Sequence, residues 1–366
     1  MVSVKSKFLD SEAYRKLSQF NRLVYTEFGT RSYPDLCKNI FQRFFAHFLP
    51  ISFTDNTFAN ICMLEDEMYL FSETNNIWKV NPEDLSCVEK TDITNVVSVD
   101  AATSHPHQIS NGTIYNLGSS VITGLKYHVM KISPSTGAEG PKTFERVTIH
   151  STISSSYKTS LGYYHSFGLS ENYILLVEQP LLINTLKMAV SGIVGYCLRD
   201  LLEWYPKQKV IFHLMDLRTG IQTKTKYVAN AFFFFHHINT YEEDGHVVAD
   251  ILAYPDAEVL DILFLDKLRE GKMPEICAAI TTRFILPLKT DGKEGSNLIT
   301  LKNTHAAAIK QNKNAVLLIP ETKGPSGFEM PTINYSMFNA KKYRYMYSTS
   351  YFYQGDVANT VQYSII

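Results

Sequence analysis

The sequence predicts an all-β fold, and three observations carry that expectation. Short apolar or alternating runs recur along the chain: "EMYLFSE" (67–73), "GTIYNLG" (112–118), "YHVMKIS" (127–133), "NYILLVEQP" (172–180), "KVIFHLMDL" (209–217), "HVVADILAY" (246–254) and "RFILPL" (283–288). Each is bounded by Gly, Pro, Asn or Asp, the pattern of strands ended by turns. The runs also come in pairs joined by compact turns, at 65–67, 111–112 and 171–173, as in hairpins. Finally, only two segments break the strand pattern. Hairpins repeated over most of the length make propeller blades the natural arrangement. A pair of β-sandwiches satisfies the same signals, because periodicity does not separate the two.

The first exception is 35–49, "DLCKNIFQRFFAHFL", where Ile40, Phe41, Phe44, Phe45 and Phe48 recur at helical spacing with Lys38, Arg43 and His47 around the turn, an amphipathic stretch. The second is 180–205, "PLLINTLKMAVSGIVGYCLRDLLEWY", apolar but interrupted by Gly192 and Gly195, with Lys187, Arg199 and Trp204 among the apolar residues. It suits a core helix capping the β-body, and its aromatic and basic flanks equally suit insertion into one face of a bilayer. Four phenylalanines at 232–235 suit a strand buried on both faces, yet they run into His236 and His237 and then an acidic cluster.

Composition narrows the function. With 366 residues, 45% of them hydrophobic and only 19% charged, the chain has material for a large core and none of the character of a disordered protein. A net charge of -1 and the lack of a long basic block exclude nucleic acid as a partner, since phosphate binding needs clustered Lys and Arg. Cys37, Cys62, Cys87, Cys197 and Cys277 are scattered with no CxxC pair, which argues against a zinc site or a disulfide framework and for a reducing compartment. The N-terminal residues lack the apolar core of a secretory signal, and no 18-residue apolar span occurs. An intracellular protein is expected.

Three histidine settings stand beside strand signals: "SHPH" (104–107), "YYHSFG" (163–168) and "FFHHINTYE" (234–242). Histidines on successive inner strands of a propeller converge on its axis, where neutral imidazoles bind a transition metal. Taken singly, each is more often a hydrogen-bonded core histidine. Alternation along a strand sends His236 and His237 to opposite faces, so at most one of them is a ligand. Glu73 in "FSETNN", on its own residues, is an ordinary exposed turn residue.

Ten motifs stand in the order and spacing of the carotenoid cleavage oxygenases: "TEFGT" (26–30), "YPDLCKNIF" (33–41), "TDN" (54–56), "SETN" (72–75), "KVNPEDL" (79–85), "SHPH" (104–107), "YYHSFG" (163–168), "FHHINTYEEDG" (235–245), "RFILPL" (283–288) and "PTINY" (331–335). The chain resembles the animal branch of that family over about 7–347, nearly its whole length. The resemblance implies a seven-bladed β-propeller with helical cap segments and a non-haem ferrous iron, Fe(II), held by four histidines. His105, His165 and His236 match three of those ligands, and Glu73 matches one of three glutamates that orient the ligand imidazoles. It implies a dioxygenase that cleaves a carotenoid or retinoid polyene with O2, in a single domain over 1–366. The segments 35–49 and 180–205 match membrane-facing regions, with Cys37, Phe41, Phe44, Phe45 and Leu186 as contacts, so a cytoplasmic protein in peripheral membrane association is expected.

The departures are as specific as the matches. Leu36 stands where the family has a second proline. No histidine follows His305 in "LKNTHAAAI", and His305 matches no ligand motif. The resemblance therefore leaves the fourth ligand without a counterpart. It also places two of the three glutamates in motifs beyond "YRYMYSTS" that this sequence lacks. Together with the absent N-terminal strands, these imply an incomplete propeller. An impaired form that only binds a carotenoid or retinoid, or that has no stable fold, is the competing expectation.

Overall fold

The computed structural model describes residues 4–30, 54–56, 59–121, 123–135, 137, 142–194, 196–270, 278–350 and 359–364. The amphipathic stretch 35–49, with Cys37, Phe41, Phe44 and Phe45, lies outside the described residues. The chain forms two compact units, one of 1–161, 183–203 and 260–272, the other of 162–182, 204–259 and 273–366.

The first unit opens with the helix Glu12–Phe20. Ser11 caps it by accepting from Tyr14 N, and the buried Asp55 carboxylate accepts from Glu12 N and Ala13 N at 2.9 and 3.1 Å. Donors left over in a first helical turn are thus taken by a side-chain oxygen and an anion, the charge that a helix N-terminus favours. A four-stranded antiparallel sheet follows: Asn60–Leu64, Glu67–Phe71, Asn76–Val80 and Cys87–Asp92, each paired with its sequence neighbour. A second sheet is built on Ile114–Ser120, Lys126–Ile132 and Val147–Ser154, with Ala101–Ala102 and His107–Gln108 both pairing with the first of these. Tyr69, Phe71, Ile77, Ile93, Ile114, Met130 and Phe144 meet in one buried cluster. The turn at 111–112 closes with Gly112 at φ 84°, a left-handed conformation that glycine adopts without steric cost.

The apolar stretch 180–205 is not one helix. Leu181–Asn184 and Leu202–Trp204 are strands, Thr185–Val194 is an α-helix, and Arg199–Leu201 is a short 3-10 turn. Asn184 makes the break, its Oδ1 accepting from Leu186 N and Lys187 N, both at 3.0 Å, which ends the strand and caps the helix. Leu186, Val190 and Val194 recur every four residues on the helix and are all exposed, Leu186 to 73%.

The second unit contains longer strands. Gly168–Leu169, Tyr173–Glu178, Val210–Asp216 and Lys226–Ala229 run antiparallel, and Lys226–Ala229 then pairs in parallel with Ala315–Ile319. Phe233–Glu243, His246–Tyr254, Ile280–Pro287 and Glu321–Ser326 form a four-stranded antiparallel sheet. Phe328–Thr332, Tyr345–Ser350 and Asn359–Ser364 form a three-stranded one. His246–Tyr254 is buried along its whole length, so both of its faces are covered: Val247, Ala249, Ile251 and Ala253 make one wholly apolar, and the other carries His246 and Asp250 among apolar residues. Phe212, Phe232, Phe234 and Phe284 pack in the core of this unit.

Candidate metal centre

His165 lies at a bend in the link before Gly168–Leu169, and His236 lies on Phe233–Glu243. Pairing with His246–Tyr254 slips between Phe234, opposite Ala253, and His237, opposite Ile251: two residues, Phe235 and His236, stand against the single Leu252. Such a bulge re-aims the side chain it carries. His236 is turned to His165, and the two Nε2 atoms are 3.1 Å apart with the rings at 87°. His237 faces elsewhere, its Nδ1 3.2 Å from Ser166 Oγ and its ring edge-on to Phe234. Only one member of the histidine doublet points at His165, as alternation requires.

The far side of each imidazole is also engaged. His236 Nδ1 donates to Glu329 Oε2 at 2.7 Å, and Tyr254 OH donates to Oε1 of the same carboxylate at 2.7 Å. Burial pushes the Glu329 pKa up, but His236, the Tyr254 hydroxyl and Met330 N together outweigh it and leave it below the usual value. Glu329 is therefore an anion that can only accept. The His236 proton then belongs on Nδ1, and its Nε2 presents a lone pair. His165 Nδ1 lies 3.2 Å from Tyr163 OH, which leaves its Nε2 toward His236.

The donor set fits a transition metal. Two imidazole nitrogens each about 2.1 Å from one ion and at right angles to each other are about 3 Å apart, the separation observed. A carboxylate on the outer nitrogen of a ligand imidazole is the usual support of such a site. Aromatic rings surround the pair: Phe235 lies edge-on to His165 at 5.3 Å, and Phe233 and Tyr254 pack against Phe235.

In the first unit His105 is half-buried in "SHPH". Its N donates to Thr103 Oγ1 at 3.2 Å, and its Nδ1 is 3.5 Å from Asn60 Nδ2, which also donates to Ser104 O at 2.9 Å. Glu73 is half-buried in the turn before Asn76–Val80, between Ser72 and Thr74, whose hydroxyls bond to each other at 2.7 Å. His305, the last histidine in the sequence, only anchors a loop, its N donating to Glu321 Oε2.

Glu329 corrects the sequence reading, which sought both further glutamates beyond "YRYMYSTS". It stands two residues before Pro331 of the "PTINY" motif, on Phe328–Thr332, and is only 6% exposed. Its signal was an acid inside an otherwise apolar strand, "FEMPT". Nothing in that segment alone says that it faces His236, 93 residues earlier. Gly168 of "YYHSFG" is explained by space: a Cβ there would sit 2.3 Å from Thr240 Oγ1 and 3.0 Å from Thr240 Cβ.

Comparison with known proteins places this geometry in context. The family described as retinal pigment epithelial membrane protein matches residues 1–362. The β,β-carotene 15,15'-dioxygenase of Homo sapiens is 37% identical over all of this chain and 69% of its own length, and that of Gallus gallus 39% identical over 95% of the chain and 68% of its own. A mitochondrial carotenoid-cleaving dioxygenase of Mustela putorius furo is 36% identical over 96% and 68%. Among solved structures, a cobalt-substituted Synechocystis apocarotenoid oxygenase matches with a TM-score of 0.69 at 13% identity, covering 98% of this chain and 66% of that one. A chimera of that oxygenase with RPE65 matches with a TM-score of 0.68 at 14% identity, covering 98% and 69%. The chain thus spans about two thirds of the length of these proteins. The structural likeness shows the fold, all-β of the carotenoid-oxygenase propeller type.

Proposed function

Because this chain belongs to the retinal pigment epithelial membrane protein family, we propose that it is a carotenoid cleavage dioxygenase whose non-haem ferrous iron is held by His165 and His236 together with His105. The observation that carries this reading is the His165–His236 pair, Nε2 to Nε2 at 3.1 Å, backed by the Glu329 carboxylate on the outer nitrogen of His236. His105 joins the set on the strength of its motif, and Glu73 takes the same supporting role as Glu329 on the strength of "SETN".

When bound, ferrous iron would supply the redox chemistry for delivering both atoms of O2 across one polyene double bond to give two carbonyl products. The protein residues have other tasks. Glu329 fixes the proton of His236 on Nδ1, so that Nε2 remains a donor to metal. Tyr254 holds Glu329 from its other oxygen, against reorientation. Phe235, backed by the buried Phe233, keeps water from the imidazoles and offers an apolar surface to a long hydrocarbon. A carotenoid or retinoid is the substrate class, with O2 as co-substrate.

Such a substrate partitions into membranes, and the protein is proposed to work in peripheral contact with one, from the cytoplasmic side. The exposed Leu186, Val190 and Val194 of Thr185–Val194 support this. Among the described residues no helix is long and apolar enough to cross a membrane.

The test is metal content and turnover together. Protein expressed with ferrous iron should carry near-stoichiometric metal that His165→Ala loses, and should bleach β-carotene only when O2 is present. Absence of iron would overturn the reading. Binding of the polyene without oxygen-dependent bleaching would leave a carotenoid-binding protein in place of an enzyme.

A further inference from the structure

Two side chains outside the imidazole set tie together the backbones that carry it. The Gln179 side chain is fully buried, and its amide accepts from Phe234 N at 2.9 Å while donating to Phe234 O at 3.2 Å and Tyr163 O at 3.1 Å. One acceptor and two N–H donors are all engaged. Tyr163 and Phe234 each stand two residues before a histidine, His165 in one case and His236 in the other. A single rigid, planar group therefore bridges the two segments just upstream of both imidazoles.

Ser166 does the same on the other side. Its hydroxyl donates to Phe235 O at 2.7 Å and accepts from His237 N at 2.9 Å. These are the backbone groups immediately flanking His236, where the bulge interrupts the ladder and would leave buried groups unpaired. Ser166 is also the residue after His165. A backbone shift at one histidine is thus transmitted to the other through one serine.

We propose that Gln179 and Ser166 are positioning residues that set the separation of the His165 and His236 imidazoles, so that the pair is preformed for a metal ion. The proposal rests on the metal-centre reading above. Gln179 suits the role because its own support is stiff. It follows Tyr173–Glu178, whose last residue is buried with its Oε2 2.9 Å from His213 Nε2, and His213 Nδ1 is in turn 2.9 Å from Gln222 Nε2. Neither Gln179 nor Ser166 is a ligand, and both act through backbone. Without these clamps the bulge has alternative arrangements, and a metal ion must then spend binding free energy to select one of them.

Cobalt(II) tests this, because its d–d absorption reports the number and arrangement of ligands. The full chain is titrated with cobalt(II) chloride, with a chelator as competitor, alongside His165→Ala, Gln179→Met, Ser166→Ala and Ser166→Thr. The wild type should bind cobalt and His165→Ala should not. Gln179→Met and Ser166→Ala should each lose about 10–100-fold in affinity, the usual effect of removing a supporting group, and should show a shifted d–d band with unchanged far-UV circular dichroism. Ser166→Thr, which keeps the hydroxyl, should recover both affinity and band. If Gln179→Met does not fold, the Ser166 pair decides. Failure of the wild type to bind cobalt would overturn the metal-centre reading, and this proposal with it. Cobalt bound by the wild type, lost in His165→Ala, but bound with unchanged affinity and band by Gln179→Met and Ser166→Ala would overturn the positioning role alone.

Discussion

Replacing Asp250 by Asn should destabilise the second unit by about 3–5 kcal/mol, the cost of stranding a buried charge. Asp250 is fully buried on His246–Tyr254, directly opposite Arg283 of Ile280–Pro287. Its Oδ1 accepts from Arg283 Nε at 2.7 Å, and its Oδ2 accepts from Arg283 Nη2 and Tyr343 OH, both at 2.8 Å. Asn preserves the volume and one acceptor for Tyr343 but leaves the guanidinium, whose side chain is only 10% exposed, without a counter-ion. Removing both charges in Asp250→Asn/Arg283→Met should cost less than Asp250→Asn alone, because no uncompensated charge remains. Of the two tryptophans, Trp78 and Trp204, Trp204 belongs to the second unit. Urea unfolding followed by Trp204 fluorescence in a Trp78→Phe background therefore reports on the right part of the chain. A cost below about 1 kcal/mol for Asp250→Asn, or strict additivity in the double variant, would refute the reasoning.

The remaining expectations are more local. Glu329→Gln cannot accept from both His236 and Tyr254, so metal affinity should drop about 10–100-fold; an unchanged chelator competition curve would contradict it. Gly168→Ala drives a methyl into Thr240 and should destabilise by about 1–3 kcal/mol, with metal affinity falling in parallel because His165 is three residues away. His128 is buried between Ser120 Oγ at 2.8 Å and Thr152 Oγ1 at 2.9 Å. Burial, helped by Lys126 and opposed by Asp100, holds its pKa below the usual 6.5. The unfolded chain then binds this proton first, so the contribution is present above pH 6.5 and is lost as pH falls toward the lower folded value. His128→Gln should show a shallower loss of stability over that window in pH-dependent urea midpoints, and an identical slope would exclude the effect.

Much of the fold was legible because strands and turns are local. "GTIYNLG" and "YHVMKIS" announce Ile114–Ser120 and Lys126–Ile132 through β-rich runs with glycine or proline at their ends, which act within a few residues. The apolar stretch 180–205 misled for the same reason. Its composition is that of a helix, but a capping Asn184 divides it, and composition averages over such single-residue decisions. Asp250 and Arg283 illustrate the opposite limit. Each is unremarkable in its own strand, and only pairing across the sheet makes them partners.

Local sequence by itself singled out the candidate metal residues: histidines beside strand signals, in motifs shared with a family of oxygenases. Alternation along a strand was enough to separate His236 from His237. Only the tertiary structure decided what holds His236. Glu329, Gln179 and Ser166 reach it or its neighbouring backbone from distant points in the chain, among them contacts 93, 55 and 71 residues apart, and Tyr254 holds Glu329 in turn. Side-chain type is written residue by residue in the chain. Which donors meet which acceptors depends on strand register and on one bulge, and these are settled only when the sheets pack.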